Sequence, residues 1–369
     1  MNKYLDNFYD WWKNIDKFIL FIILSLFLLG LFFSLVSTSL IASDKLDTKS
    51  YYFFFKHFAF IVLAVVILII FSFLNQKILI NFSLILFLIA FLSLLLVPFL
   101  GIEVKGSKRW LDLIFLPRFQ PVEIVKPFFI VSLSLMLTIQ NRRLYFKYFL
   151  SVLLILPILM LLVYQPDIGQ TLLISMVWLA LIFISGINIF IFFIFFLFIG
   201  STVSYLVLFV TKFEYIKIRL FAFLDSSSGN NYQAEKASDA IINGGFFGKG
   251  IGEGTLNSRI PEAHTDYIVS VISEEFGAII VIGILFLYLI FSYRVIRKIN
   301  FVNEDLSKLI LSGCISLILI QTFIHVGVNI RILPTTGMTL PFLSYGGSSI
   351  VSTAILSGLI LNLTKRKLD

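Results

Sequence analysis

The chain alternates between long apolar runs and short polar interruptions, and the runs set the fold class. Ten of them reach or approach the ~20 residues that an α-helix needs to cross a hydrocarbon layer: 17–42, 52–73, 77–101, 122–140, 145–164, 168–185, 187–211, 266–293, 306–330 and 346–363. The pattern predicts an all-α polytopic integral membrane protein. It is a single bundle of about ten transmembrane helices, with a large outer loop between the seventh and the eighth. The first run is too long for the core of a signal peptide and no small-residue cleavage site follows it, so a retained anchor is expected.

Composition agrees with this reading. Of 369 residues, 59% are hydrophobic and 14% charged, with 42 Phe, and no stretch is left over for a separate soluble domain. The expected organisation is a cytoplasmic N-terminal segment 1–16, a membrane domain 17–363 with outer loops 102–121, 212–265 and 331–345, and a cytoplasmic tail 364–369. Arg142, Arg143, Arg294, Arg297, Lys298 and the tail Lys365 to Lys367 place both termini in the cytoplasm of a plasma (inner) membrane. The remaining cations nearly balance that bias. Most gather in two outer loops, which are expected to meet an anionic partner. The single cysteine, Cys314, lies in an apolar run and excludes an intrachain disulfide or thiolate cluster.

The most informative polar stretch is PEAHTDYIVSVISEEFG, residues 261–277, which runs directly into the eighth span. Charge beside lipid is costly and marks function. At about 100° per residue, Ser270, Ser273, Glu274 and Gly277 share the Asp266 face, whereas Glu275 points away. Asp266, Glu262 and His264 are candidate general bases. Asp266 is preferred because a helix start would fix it and partial burial would raise its pKa; a simple helix-capping role is the alternative. His57 and His325 lie alone among apolar residues, as core histidines do.

Three further outer regions carry polar chemistry. The loop GIEVKGSKRWLDLIFLPRFQPVEIVK interleaves Lys105, Lys108, Arg109 and Arg118 with aromatic residues, which suits an anionic, lipid-attached ligand or lipid headgroups; nucleic acid is not expected there. Pro121 and Glu123 fit a first helical turn, and Lys126 can pair with Glu123 either structurally or at a substrate. Gln165, Pro166 and Asp167 repeat the same start. The run GGFFGKGIGEG, residues 244–254, has Asn243 and Gly250 where a phosphate-binding loop needs Gly and Ser/Thr, so it reads as a turn-rich or re-entrant segment after a short helix at 232–242. Finally, RILPTTGMTLPFLSYGGSSIV breaks helix near the membrane, and Ser344 can bond either a headgroup or the broken backbone.

Taken together, GSKRWLDL with FQPVEIVKP, QPDIGQT, NGGFFGKGIGEGT, PEAHTDYIVSVISEEFG and LPTTGMTLPFLSYGGSS resemble, in order and spacing, the SEDS family of polytopic cell-wall proteins. Thr339 in GMTLP favours its division-type branch over its elongation-type branch. Two departures, Gln170 before Thr171 and Thr336 in place of a common Lys, leave the acidic candidates untouched. The resemblance implies a peptidoglycan glycosyltransferase that polymerises lipid II at the septum, with Asp266 as base. Lys105, Lys108, Arg109 and Arg259, with Arg331 ranked after them, would hold the diphosphate, and Glu123, Lys126, Asp167, Glu262, His264 and Ser344 would complete the substrate site. It further implies a class B penicillin-binding protein as partner, other divisome proteins, and a divalent cation (Mg2+ or Mn2+) with no identifiable ligands. A lipid II flippase and a non-catalytic division scaffold stand as alternatives. Against the flippase, no internal repeat is evident and the polar groups cluster at helix ends instead of the midplane.

Overall fold

The computed structural model describes residues 2–39, 51–104, 107–113, 116–140, 143–224, 232–256 and 260–365. A helix α1 (Asn2–Asn14) precedes α2 (Lys17–Ser39), α3 (Tyr52–Phe73) and α4 (Gln76–Leu100). After three short strands come α5 (Pro121–Leu137), α6 (Leu144–Tyr164), α7 (Ile168–Ile184) and α8 (Ile189–Phe209). The chain then forms α9 (Glu214–Leu224), α10 (Tyr232–Gly244), α11 (Ile268–Phe276), α12 (Ala278–Ile299), α13 (Asp305–Asn329) and α14 (Gly347–Leu363). Among the described residues, seven helices are long and apolar enough to cross a membrane, and α7 and α14 are shorter apolar helices. The protein is a multi-pass membrane protein.

Burial sorts the helices into a centre and a rim. α14 is buried on every face, and α5 nearly so; α8, at the other extreme, buries only Val207 and offers its phenyl rings to lipid. Without a hydrophobic driving force between helices in lipid, close approach at small residues does the packing. A Cβ on Gly358 would lie 2.6 Å from Phe71 Cβ on α3, and one on Gly313 would lie 2.6 Å from Ile130 Cγ2 on α5. Asn362 Nδ2 reinforces the α14–α3 contact by donating to the carbonyls of Phe71, Ser72 and Leu74.

Two features depart from the expected pattern. The cationic loop after α4 is a three-stranded antiparallel meander, β1 (Ile102–Val104), β2 (Ser107–Leu113) and β3 (Leu116–Phe119), with Glu103 opposite Lys108 and Leu111 opposite Phe119. Its alternation of polar and apolar side chains buries Leu111 while Lys108 and Asp112 stay exposed. The eighth run, expected as one helix over 266–293, is broken. Gly277 takes φ +86°, and a Cβ there would sit 2.2 Å from the Phe246 carbonyl oxygen, so the chain divides into α11 and α12. Glu275, like Glu274, is buried, and its carboxylate accepts from the Gly252 amide. The expected helix at 232–242 is α10, two residues longer.

One end of the bundle is clamped by Asp16. Its Oδ1 accepts from the amides of Phe18 and Ile19, capping α2, and its Oδ2 lies 3.0 Å from Arg294 Nη2 and 3.1 Å from Lys298 Nζ on α12. Burial pushes the carboxyl's pKa up, but the Lys298 hydrogen bond, the Ile19 amide and the two cations outweigh it and hold the pKa below 3.8. A depressed carboxylate contributes stability above its unfolded pKa and loses it only as pH falls through the lower folded value. The clamp is therefore intact at neutral pH. Asp16→Ala is expected to cost about 1–2 kcal/mol, as lost helix caps do, whereas Lys298→Ala, removing a partly exposed cation, costs under about 1 kcal/mol; thermal unfolding in detergent checks the order.

Candidate active site

Asp266 lies in the turn that precedes α11, two residues before its first helical residue, and it is half-buried. The helix expected to start at Asp266 starts after it, with Tyr267 as the N-cap of α11. The backbone of Asp266 is held from two sides. The Asp266 amide donates to the Glu262 carbonyl (3.0 Å), and its carbonyl accepts from Asn329 Nδ2 (3.1 Å) at the end of α13. Asn329 is fully buried, and its Oδ1 accepts from both the amide and the hydroxyl of Ser270, at 3.1 and 2.8 Å. The carboxylate faces the last loop: a Cβ on Gly337 would stand 3.5 Å from Asp266 Oδ2.

That loop, 330–346, is suspended from α13 and tied to the Asp266 turn. Gln321 Nε2 donates to the Thr339 carbonyl (2.9 Å) and His325 Nδ1 to the Met338 carbonyl (2.7 Å). Ser344 Oγ donates to the Thr265 carbonyl (2.7 Å) and accepts from the Leu340 amide (2.8 Å). The Ser344 hydroxyl thus satisfies broken backbone. Tyr345 donates its amide to the His264 carbonyl (3.0 Å) and stacks on His57 of α3, ring centroids 5.5 Å apart. Glu262, at φ +57°, accepts from Thr265 Oγ1 (3.1 Å) and shapes the turn.

Helix lengths give the depth of this turn. Trp11 Nε1 donates to Ser72 Oγ near the Asp16 end (3.2 Å), and from Ser72 along α3 to His57 is about 22 Å at 1.5 Å per residue. A hydrocarbon layer is about 30 Å thick. The His264–Asp266 turn therefore lies toward the end of the bundle opposite Asp16.

A second polar group stands beside the first. Lys126 Nζ lies 2.8 Å from Glu123 Oε2, both side chains almost wholly buried, with Gln170 Nε2 on Glu123 Oε1 (2.9 Å) and Lys126 donating to Gln321 Oε1 (3.2 Å). Asp167 is the N-cap of α7, its Oδ1 accepting from the Gln170 amide (3.4 Å). Its Oδ2 accepts from Gln120 Nε2 (3.2 Å) and lies 3.6 Å from Arg109 Nε. Burial raises the Asp167 pKa, and the Arg109 charge opposes the rise. Arg109 also donates to the carbonyls of Pro166 and Gln165. Lys108 lines an open pocket of about 260 Å³ with Glu103, Ser107, Pro98, Tyr164, Gln165 and Pro166.

The structure thus brings Asp266, Glu262, His264 and Ser344 together, and gathers Glu123, Lys126, Asp167 and Arg109 in a neighbouring group joined to them through Gln321. Lys105 and Arg259 lie outside the described residues. Arg331 sits at φ +58° at the start of the loop. Among the described residues no group of three or more His, Cys, Asp or Glu is arranged to hold a metal ion. Sequence reasoning missed Gln321 and Asn329. Their spacing with His325, four residues apart on one face of an apolar helix, was the available signal.

With this geometry in view, the family profile described as "Cell cycle protein", which groups FtsW, RodA and SpoVE, matches residues 17–368. The chain belongs to the FtsW/RodA/SpoVE family. Members of that family similar to it include the "Probable peptidoglycan glycosyltransferase FtsW" of Caulobacter vibrioides (strain NA1000 / CB15N), 30% identical over 97% of this chain and 91% of that one. The protein of the same name from Coxiella burnetii (strain RSA 493 / Nine Mile phase I) is 33% identical over 94% and 95%. Among solved structures, a chain of a peptidoglycan synthase complex, described as coordinating polymerization and crosslinking, superposes with a TM-score of 0.74 at 25% identity, covering 95% of this chain and 97% of that one. The FtsW/RodA/SpoVE fold is shared as well by Thermus thermophilus Rod shape determining protein RodA, at a TM-score of 0.68, 24% identity, and 95% and 96% coverage.

Breaking a buried ion pair from one side leaves an uncompensated charge. Lys126→Met is expected to lower stability by about 3–5 kcal/mol, and adding Glu123→Gln to it should restore part of the loss. Asn329→Ala, which removes the side-chain donor to the Asp266 carbonyl and the acceptor of the Ser270 hydroxyl, should cost about 1–3 kcal/mol. It should also raise hydrogen exchange selectively at 266–270. Thermal unfolding and exchange mass spectrometry in detergent read both.

Proposed function

We propose that the chain is a peptidoglycan glycosyltransferase that polymerises lipid II into β-1,4 glycan strands at the division septum. The observation that carries this reading is the Asp266 carboxylate, its backbone fastened from both sides while its side chain faces the Gly337 turn. A base held in this way presents one proton acceptor at the end of the bundle opposite Asp16, where the sugar of a lipid-linked substrate can reach it. The names of the similar FtsW proteins support the same activity.

In this mechanism the GlcNAc 4-hydroxyl of the acceptor gives its proton to Asp266 as its oxygen attacks the anomeric carbon of the donor. The bond from that carbon to undecaprenyl diphosphate breaks, and the diphosphate leaves with the electron pair. Attack opposite the leaving group turns an α-linked donor into a β-linked product, and no covalent glycosyl-enzyme forms. Lys108 and Arg109, with Lys105 and Arg259, stabilise the departing charge. Glu123, Lys126 and Asp167 position Arg109 and the loop behind Asp266. Ser344 and His264 hold the turn.

The same reading places both termini in the cytoplasm, the Asp266 end on the outer face of the plasma membrane, and the membrane domain at 17–363 with the outer loops 102–121, 212–265 and 331–345. A class B penicillin-binding protein is the partner that crosslinks the strands, alongside other division proteins. The polar groups gather at one end of the bundle, which supports chemistry at a surface over carriage through the midplane.

Purified protein supplied with lipid II and its transpeptidase partner is expected to form glycan polymer. Asp266→Asn should lower the rate by about 100-fold to 10,000-fold, the usual contribution of a general base, with thermal stability unchanged. Full polymer yield from that variant removes Asp266 from the mechanism. Arg109→Ala should weaken the use of lipid II more than it weakens partner binding, and equal losses would assign Arg109 to folding alone.

A further inference from the structure

The segment between α10 and the turn before α11 contains residues whose placement the catalytic reading does not explain. Phe246 and Phe247 are 72% and 85% exposed, and Ile242 and Ile251 are exposed beside them. α10 itself changes character along its length. Gln233, Lys236 and Asp239 line its open face at the start, Lys236 pairing with Asp239 at 3.0 Å, whereas Ile242 follows at the end. Ala234, Ala237, Ala240 and Gly244 form the buried face. The approach to α11 is so close that a Cβ on Gly244 would fall 1.9 Å from the Ser273 carbonyl oxygen.

The turn is bound at the junction of α11 and α12 by an unusual number of backbone donors. The amides of Lys249 and Gly250 donate to the carbonyls of Glu274 (2.9 Å) and Glu275 (3.0 Å), and those of Ala278 and Ile279 to the carbonyls of Gly245 (2.9 Å) and Phe246 (3.3 Å). Two buried carboxylates take up more. Glu274 Oε1 accepts from the amides of Thr255 (3.0 Å) and Leu256 (2.9 Å) and from Asn243 Nδ2 (3.0 Å), and Glu275 Oε2 accepts from the Gly252 amide. A loop in water has no need of this, because water serves its amides. Backbone immersed in hydrocarbon must find every partner within the protein.

Depth agrees from two helices. Asp16 meets Arg294 at one end of the bundle, and from Arg294 along α12 to Ala278 is about 24 Å, out of about 30 Å of hydrocarbon. Along α2, Lys17 to Phe33 is also about 24 Å, and Phe32 and Phe33 contact Phe276 with ring centroids 5.6 and 5.4 Å apart. The turn therefore lies inside the far leaflet. The exposed face of α12, with Ile279, Ile280, Ile282 and Phe286, continues directly from it.

We infer that residues 244–252 form a re-entrant wedge in the hydrocarbon of the leaflet at the Asp266 end, with Phe246 and Phe247 seated among lipid acyl chains. Lys249, which is exposed, reaches the headgroups with its long stem. Glu274 and Glu275 are the internal partners that let the backbone enter lipid. The inference rests on the fold and stands whatever the catalytic assignment of Asp266.

The test is nitroxide labelling of Phe247→Cys in a Cys314→Ala background, with the full chain in lipid nanodiscs and collisions measured with oxygen and with a water-soluble nickel chelate. Gln233→Cys serves as the aqueous reference and Ile282→Cys as the lipid reference. The label at 247 is expected to match that at 282, with an oxygen-to-nickel ratio several-fold above that at 233. Phe246→Cys should report the same. A ratio equal to that at 233 overturns the proposal in favour of a solvated loop, and shielding from both reagents overturns it in favour of a protein partner.

Discussion

One face of α13 carries Gln321, His325 and Asn329 into an apolar interior, and the irregular backbone around Asp266 hangs on those three side chains. Backbone that is neither helix nor sheet leaves donors and acceptors open, and at this depth water cannot be relied on to fill them. The three side chains meet the carbonyls of Thr339, Met338 and Asp266 in turn. Gln321 has a further task, since its oxygen accepts from Lys126, so the ion pair on α5 and the loop above α13 share one amide group. Rigidity at Asp266 is thereby inherited from the core.

The sequence disclosed those parts of the fold that depend on local pattern. Apolar runs revealed the helices because hydrocarbon selects for them over their whole length. Pro121 with Glu123, and Pro166 with Asp167, marked helix starts because capping is a property of four or five consecutive residues. The break at Gly277 was not legible, because what forbids a side chain there is the Phe246 carbonyl, thirty-one residues earlier in the chain. The meander of β1 to β3 was hidden for a similar reason. Its register depends on pairing across turns, and along β2 only Leu111 is buried, too little apolar alternation to mark a strand.

At the site itself, composition located the acids and cations but not their relations. Arg109 was expected beside the diphosphate, and its neighbours in the structure are Asp167 and two carbonyls of the α6–α7 turn. Such an arrangement leaves a guanidinium oriented and a quarter exposed, which suits a group that must meet a charge without swinging far. Ser344 shows the opposite case. Its hydroxyl is spent on the Leu340 amide and the Thr265 carbonyl, and it serves the site by shape.

The central position of α14 has a consequence for how the chain assembles. This helix emerges from the ribosome after all the other described ones, yet it is enclosed on every side. It touches α3 through Gly358 and Asn362, and its Ser348 hydroxyl accepts the amide of Gln120 at the start of α5. Until it arrives, the groove between helices inserted much earlier must stay open to lipid. Packing of the described helices then finishes with a wedge driven into a waiting slot, and the geometry at the Asp266 end is set only once that helix is seated.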